Sequence, residues 1–256
     1  MFIVDRSILS ASLLSIGLYA CASAEGTAPH DHSAAEHDQE AAREEVLANE
    51  HAAHYDPSAE RERTVCKGIL SRAGSSSGNI CWSSTTNPTA EHQAAADAHR
   101  KIAAEHRAAS QALRDAEAKA CAGLADDERD MSPFDHTEDI ASVASLREAA
   151  PRTKYPGAGV LKGATVDFVA VPGMTAEWLQ RVVDCHIARN AVMGHDDPAM
   201  PQCPLVPNGV TATVTSNGAG FAVAIRSDDP EVAQEILRRA RGLIQAPTPT
   251  AMPDHH

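Results

Sequence analysis

The sequence predicts an α+β protein in which long alanine-rich helices precede a two-layer domain of antiparallel sheet and helices. Large aliphatic and aromatic residues are sparse between residues 22 and 131, where alanine is abundant. From residue 134 to residue 243 they become dense and follow strand and helix periods. The first half therefore lacks the side chains for a large core, whereas the second half suffices for one domain of about 110 residues.

Two helices account for most of the first half. Residues 33–55 are rich in alanine and glutamate and are followed by the helix-ending pair Asp56-Pro57. A second helix is expected after Asn87, which can cap it, and continues without a breaker to Gly123. At 1.5 Å per residue it would be about 50 Å long. These helices predict a helical hairpin or a stalk, with a Gly/Ser-rich loop between them.

The second half alternates between strand and helix patterns. Strands are expected over residues 140–146 and 164–171, and a helix follows after a Thr175 cap. Two further strands meet at the turn signal Asn217-Gly218, and Asp229 caps a last helix. This order is similar to a ferredoxin-like split unit, an antiparallel sheet covered on one face by two helices. Such a topology implies no particular activity.

Histidines recur at regular spacing on the predicted helices. His92, His99 and His106 lie seven residues apart and form one stripe beside small residues on the long helix. One interpretation is a close helix-to-helix contact with histidines at its edge. The other is a metal-binding ladder, which needs ligands from a second helix because none of the three has a ligand three or four residues away. His51 and His54 on the first helix have the right spacing, and imidazole with carboxylate suits zinc, copper or nickel.

Five cysteines follow the amino-terminal segment. Cys66 and Cys81 flank the Gly/Ser-rich loop, and Cys185 and Cys203 flank a turn-rich connection, so two local disulfides are expected. Free thiols or a metal site with two nearby histidines are the alternatives for the second pair. Cys121 is then left over, which allows a buried thiol, a bond to a second molecule, or a different pairing.

The amino terminus carries a targeting pattern. An apolar run over residues 8–18 leads into Leu18-Tyr19-Ala20-Cys21, and about eleven apolar residues are too few to span a bilayer. The pattern resembles the signal and lipobox of a bacterial lipoprotein. The resemblance implies that Cys21 is lipidated as the first mature residue and, because Ala22 follows it, that the protein is sorted to the outer membrane. The alternative is secretory cleavage after Ala24, and either cleavage places the mature chain outside the cytoplasm.

The charge balance narrows the classes of partner. With 35 acidic and 22 basic residues the net charge is −13, which disfavours nucleic acid and anionic membrane surfaces and favours cations. No catalytic motif or small-molecule site stands out. We expect a non-enzymatic cell-envelope lipoprotein whose helical stalk presents the α+β domain to another envelope component. A histidine-rich periplasmic buffer or carrier for zinc, copper or nickel is the alternative, and an enzyme without a recognised motif is the third.

The predicted organisation follows from these patterns. In order, it comprises a signal over residues 1–21, a solvated tether over 22–32, a helical region over 33–124, an acidic connector over 125–139, the α+β domain over 140–245 and a disordered tail over 246–256.

Overall fold

The fold is known from a computed structural model that describes residues 24–70, 76–149 and 159–245. The predicted signal, the lipidation candidate Cys21 and the predicted disordered tail lie outside these residues. Within the described ranges, no helix combines the length and the apolarity needed to cross a membrane.

The two predicted amino-terminal helices form an antiparallel pair, which we call the arm. Helix α1 spans Ala34–His54 and helix α2 spans Ala90–Ala120. A capping box starts α1: the Ser33 hydroxyl accepts the Glu36 backbone N–H at 3.2 Å, and the Glu36 carboxylate accepts the Ser33 N–H at 2.8 Å. The prediction of a helical hairpin is confirmed.

The connection between these helices differs from the expected loop. Strands β1 (Arg61–Leu70) and β2 (Ser76–Thr86) form an antiparallel hairpin, in which Cys66 lies opposite Cys81 and is disulfide-bonded to it. The expected Cys66–Cys81 pairing therefore occurs, but within a sheet. Sequence reasoning missed the strands because a two-stranded ribbon with no buried face shows no hydrophobic alternation.

The predicted solvated tether is wrong for residues 24–32, which pack against the body. Thr27 is buried, and the backbone N–H of Ala24 donates to the Glu105 carboxylate on α2 at 2.9 Å. The Asn208 amide donates to the His30 carbonyl at 3.1 Å and ties this segment to the α+β domain. The polar composition that suggested a solvated segment instead supplies hydrogen bonds to both neighbours.

The acidic connector contains a short helix and a buried aromatic residue. It contains helix α3 (Asp126–Asp130), and its Phe134 is only 2% exposed. The Phe134 ring stacks on Phe168 of the sheet, with ring centroids 5.8 Å apart. One buried aromatic residue thus holds this acidic segment against the sheet.

The α+β class of the carboxyl-terminal half is confirmed. Its elements are β3 (Ile140–Glu148), β4 (Val160–Val169), α4 (Ala176–Val192), β5 (Thr211–Ser216), β6 (Gly220–Arg226) and α5 (Pro230–Gln245). The sheet is antiparallel with strand order β3-β4-β6-β5, so that β6 lies between the two strands that α4 connects. This is the split βαβ arrangement predicted from the sequence, with β3 as the additional edge strand.

One face of this sheet forms the core with α4 and α5. Alternate residues of β4 and β6 point inward, as the period of two requires. The buried set includes Ala164, Val166, Phe168, Val223 and Ile225 from the sheet and Leu179, Val183, Ile236 and Leu237 from the helices.

The second disulfide corrects the expected pairing. Cys185 on α4 is bonded to Cys121 at the end of α2, whereas Cys203 is a free, buried thiol. The packing of α2 against α4 brings the Cα atoms of the bonded residues to 4.6 Å, although 64 positions separate them in sequence. The predicted Cys185–Cys203 bridge is therefore wrong. The observed bond fastens the arm covalently to the α+β domain.

Candidate functional site

The contact between α1 and α2 repeats every seven residues on both helices. Three polar layers cross it, each with one residue from each helix, and we call them the histidine seam. The layers are His37 with His106, Glu44 with His99, and His51 with His92. Buried small residues alternate with these layers, namely Ala34, Ala41 and Ala48 on α1 and Ala96, Ala103 and Ser110 on α2.

The small residues explain why the seam exists. Alanine side chains let two helix backbones approach closely, and each of the five alanines is at most 2% exposed. The Ser110 hydroxyl donates to the Ala34 carbonyl at 3.0 Å across this contact. The large apolar residues of α1 do not take part in this contact. They are Val46 and Leu47, and they lie on the exposed side of the helix. Tight backbone packing therefore forces the larger imidazoles of the two helices against each other.

The first layer lies near the amino-terminal end of α1 and is buried. The Nδ1 atoms of His37 and His106 are 3.0 Å apart, and His37 is fully buried. Burial, together with the neighbouring imidazoles of His106 and His32, lowers the pKa of His37. Its Nε2 atom has no hydrogen-bond partner among the described residues. The lowered pKa therefore favours the neutral form of the His37 imidazole at neutral pH.

The other two layers bring four predicted ligands together. His99 Nδ1 is 2.6 Å from the Glu44 carboxylate, and the Nδ1 atoms of His51 and His92 are 3.2 Å apart. The His51 ring stacks on His99 with centroids 5.4 Å apart, and the exposed His54 ring lies 5.3 Å from His92. The predicted juxtaposition of the two helices' histidines therefore occurs.

His106, the fifth predicted ligand, belongs to the first layer and not to this group. Its partner His37 was absent from the predicted site. The repeat of residues 37, 44 and 51 on α1 runs antiparallel to that of residues 106, 99 and 92 on α2. Aligning the two heptad patterns in opposite directions is the sequence signal that would have found His37.

The seam offers nitrogen pairs instead of a complete ligand set. The 3.2 Å separation of the His51 and His92 Nδ1 atoms is close to the edge of a tetrahedron with about 2.0 Å zinc–nitrogen bonds. Among the residues that the structure describes, however, no three His, Cys, Asp or Glu side chains are arranged to hold a metal ion. A metal at this layer would take its third ligand from a side chain that moves, and the exposed His54 is the neighbour available for that.

The hairpin at the end of the arm is the second candidate feature. Its strands alternate so that one face, the hairpin face, carries Arg61, Arg63, Val65, Lys67, Ile80 and Trp82. Ile80 is 56% exposed and Trp82 is 49% exposed, although both are large apolar residues. The opposite face carries the disulfide and a hydrogen bond between Thr64 and Ser83 at 3.1 Å. The hairpin is thus amphipathic, and among the described residues its apolar side chains belong to neither buried core.

Polar contacts at its base hold the hairpin to the arm. The Asn87 amide donates to the Asp56 carbonyl at 2.7 Å, and the backbone N–H of Asp56 donates to the Thr89 hydroxyl at 3.0 Å. These bonds join the chain leaving α1 to the chain entering α2. These hydrogen bonds therefore hold the base of the hairpin to the adjacent ends of the two helices.

A buried thiol–imidazole pair is the third feature. Cys203 Sγ lies 3.3 Å from His186 Nε2, beside a cavity of about 220 Å³ that Ser132 and Asp135 also line. Burial raises the pKa of Cys203 to about 11 and lowers that of His186 to about 4. Both groups are neutral at pH 7, so the pair lacks the thiolate that a cysteine nucleophile requires. Cys203 packs in the hydrophobic core, and His186 is buried beside it.

A more open cleft of about 630 Å³ separates the amino-terminal segment from the α+β domain. His195 lines it with φ = 60°, at the carboxyl end of α4, where its backbone N–H donates to the Asn190 carbonyl. The Nδ1 of His195 is 2.9 Å from the Val206 carbonyl. The left-handed backbone is explained by the helix end, which makes the residue structural.

No family model matches this chain, and comparisons with curated proteins and with solved structures find no similar protein. Function is therefore inferred from the two features on the arm, the histidine seam and the hairpin face. The seam lies within the arm and the hairpin at its end, and the Cys121–Cys185 bond fastens the arm to the α+β domain.

Proposed function

We propose that this protein is a non-enzymatic lipoprotein of the cell envelope, anchored through a lipid on Cys21, that holds the β1–β2 hairpin as its binding element. The observation that carries the proposal is the hairpin face, where Trp82 and Ile80 are half exposed at the end of a covalently fastened arm. Large exposed apolar side chains grouped on one face are typical of interaction surfaces. The α+β domain then serves as the base, and the arm presents the hairpin.

The disulfides support the cellular location. Two cysteine pairs are bonded, which indicates an oxidising, extracytoplasmic environment. Ala24 is hydrogen-bonded to α2, and only three peptide units separate it from Cys21. Three extended residues reach about 10 Å, so a lipid on Cys21 would keep the folded body close to the bilayer surface.

The arm sets the distance between anchor and binding element. The amino-terminal segment contacts α2 at Glu105, near the beginning of α1. Helix α1 has 21 residues and is about 30 Å long, and the hairpin begins beyond its far end. The hairpin therefore begins about 30 Å along the arm from the anchored end. We propose that the arm serves to set this distance between the anchor and the hairpin.

Labelling of Cys21 tests the anchor. Cells producing the full chain are fed an alkyne-tagged fatty acid, and the chain is compared with Cys21→Ala. We expect label and membrane fractionation in the first and neither in the second. Mass spectrometry of the mature amino terminus separates a lipidated Cys21 from an unmodified Glu25. An unmodified Glu25, or label that survives Cys21→Ala, would contradict the lipoprotein proposal.

The His51–His92 layer favours a second candidate function, a metal buffer or carrier. Two imidazole nitrogens are already 3.2 Å apart, and the rings of His54 and His99 flank them. Zinc and copper(II) prefer such nitrogen donors. If this layer is a metal site, binding depends on these side chains and not on the first layer of the seam.

Calorimetric titration with zinc and with copper(II) tests the metal function. The oxidised chain from Ala22 onward is compared with a His51→Ala/His54→Ala variant, and His136→Ala serves as the control because its side chain is exposed on the connector. Submicromolar binding that disappears only in the double variant would support the function. Weak binding, or binding that is unchanged in the double variant, would contradict the metal function.

A further inference from the structure

The charge of the hairpin is opposite to that of the rest of the protein. Residues 61–86 contain four basic residues and one acidic residue, a net charge of +3. Because the whole chain carries −13, the remainder carries −16. A positive segment is therefore displayed at the end of an acidic protein.

The positive and the apolar side chains of the hairpin share one face. In the strand register, Val65 lies opposite Trp82, Lys67 opposite Ile80, and Arg63 opposite Ser84. The described positions of the opposite face hold polar residues, glycine and the disulfide. Three cationic groups thus surround an aromatic and two aliphatic side chains on one flat surface. This combination is typical of segments that lie in a membrane interface.

We propose that the hairpin face binds the anionic surface of a lipid membrane. The proposal deepens the proposed function, on which it rests, by naming the partner of the exposed hairpin. Trp82 would insert its ring at the level of the headgroups, where tryptophan is enriched in membrane proteins. Arg61, Arg63 and Lys67 would contact lipid phosphates or other anionic headgroups around it.

The size of the face favours a lipid surface over a folded protein partner. Two strands of 10 and 11 residues give a face of about 33 Å by 10 Å, or about 330 Å². A stable protein interface needs about 800 Å² from each partner. A membrane has no such minimum, because each basic side chain near an anionic surface raises binding about fivefold. Three such side chains give about a hundredfold without any shaped groove.

The net charge of −13 disfavoured an anionic membrane as a partner of the whole chain. The positive hairpin can nevertheless bind such a surface, because charge acts over a short range in salt. At physiological salt the Debye length is about 8 Å, so charges farther away are largely screened. The hairpin strands span about 33 Å beyond the ends of α1 and α2. Glu62 is the only acidic residue of the two strands, and it lies on the face opposite Arg61 and Arg63. The local charge of +3 decides the interaction.

Vesicle sedimentation at 0.15 M salt tests the proposal on the oxidised, unlipidated chain from Ala22 to His256, which contains every described residue. Vesicles of phosphatidylcholine with about 30% phosphatidylglycerol are compared with pure phosphatidylcholine. The variants are Arg61→Gln/Arg63→Gln/Lys67→Gln, Trp82→Ala, and a control with the same charge change on the exposed side of the arm, Arg43→Gln/Arg100→Gln/Lys101→Gln.

We expect binding to the anionic vesicles to be about a hundredfold weaker in the hairpin triple variant and within twofold of wild type in the arm control. Trp82→Ala should weaken binding about tenfold, since it removes the interfacial anchor. No binding of the wild type, or equal losses in both triple variants, would overturn the proposal. Competition by soluble polyglutamate as effective as by vesicles would overturn it in favour of an acidic protein. Because this chain carries no lipid, the outcome is independent of the Cys21 labelling.

Discussion

Lowering the pH from 7 to 5 should destabilise the folded chain through the buried His186. Burial lowers the pKa of this imidazole from 6.5 to about 4, and the side chain is 4% exposed. The unfolded chain therefore binds a proton below pH 6.5 that the folded chain does not bind until about pH 4. Stability from this group is fully present above pH 6.5 and is lost as the pH falls towards the folded pKa.

The magnitude follows from the pKa difference. One pKa unit corresponds to about 1.4 kcal/mol, so the interval from 6.5 down to pH 5 costs about 2 kcal/mol. Burial also lowers the pKa values of His37 and His195, and both act in the same direction. Carboxylates contribute little above pH 5, because their unfolded pKa values lie near 4. The window from pH 7 to pH 5 thus isolates the buried imidazoles.

Urea unfolding at several pH values measures the effect. In His186→Gln, the free energy of unfolding should fall by about 2 kcal/mol less between pH 7 and pH 5 than in the wild type. The glutamine retains a hydrogen-bonding group near Cys203 but has no proton to gain. His136→Gln, on the exposed connector, should keep the wild-type slope. A wild-type slope equal to that of His186→Gln would refute the assignment of a depressed pKa to this imidazole.

The remaining predictions concern the disulfides and the seam. Replacing Cys121 and Cys185 by alanine should lower the free energy of unfolding by about 4 kcal/mol in urea melts, because their bridge spans a separation of 64 residues; a loss below 1 kcal/mol would contradict that pairing. Reducing the hairpin bridge alone should speed protease cleavage of the exposed hairpin and leave the body's unfolding midpoint unchanged. Ala103→Leu should destabilise the arm by about 1–3 kcal/mol in thermal melts through overpacking, whereas Ala104→Leu, on the exposed side of α2, should change little.

Local signals predicted the elements of the carboxyl-terminal domain well. Thr175 caps α4 by accepting the Trp178 backbone N–H at 3.1 Å, and Asp229 accepts the Glu231 backbone N–H at 2.8 Å at the start of α5. Gly218 has φ = 81° in the turn between β5 and β6. Each signal acts over a few residues, so composition and spacing are sufficient to read it.

The contacts of the amino-terminal half were harder to predict, because they are made by polar side chains and by small residues such as alanine. No described residue of the β1–β2 hairpin is buried, and Thr27 and Phe134 are buried by neighbours far away in sequence. The sequence analysis recognised the heptad repeat of histidines only on α2, through His92, His99 and His106. The partner residue His37 emerged only with the pairing of the helices.

The sequence by itself determined the two long helices, the heptad spacing of the histidines and the α+β order of the second half. Each of these is a property of neighbouring residues or of composition. Tertiary structure alone decided that Cys121 bonds Cys185, that His51 meets His92, and that the cations of β1 share one exposed face with Trp82 of β2. The physical reason is that these contacts join distant segments, and their register is set by how closely packed helices and paired strands fit.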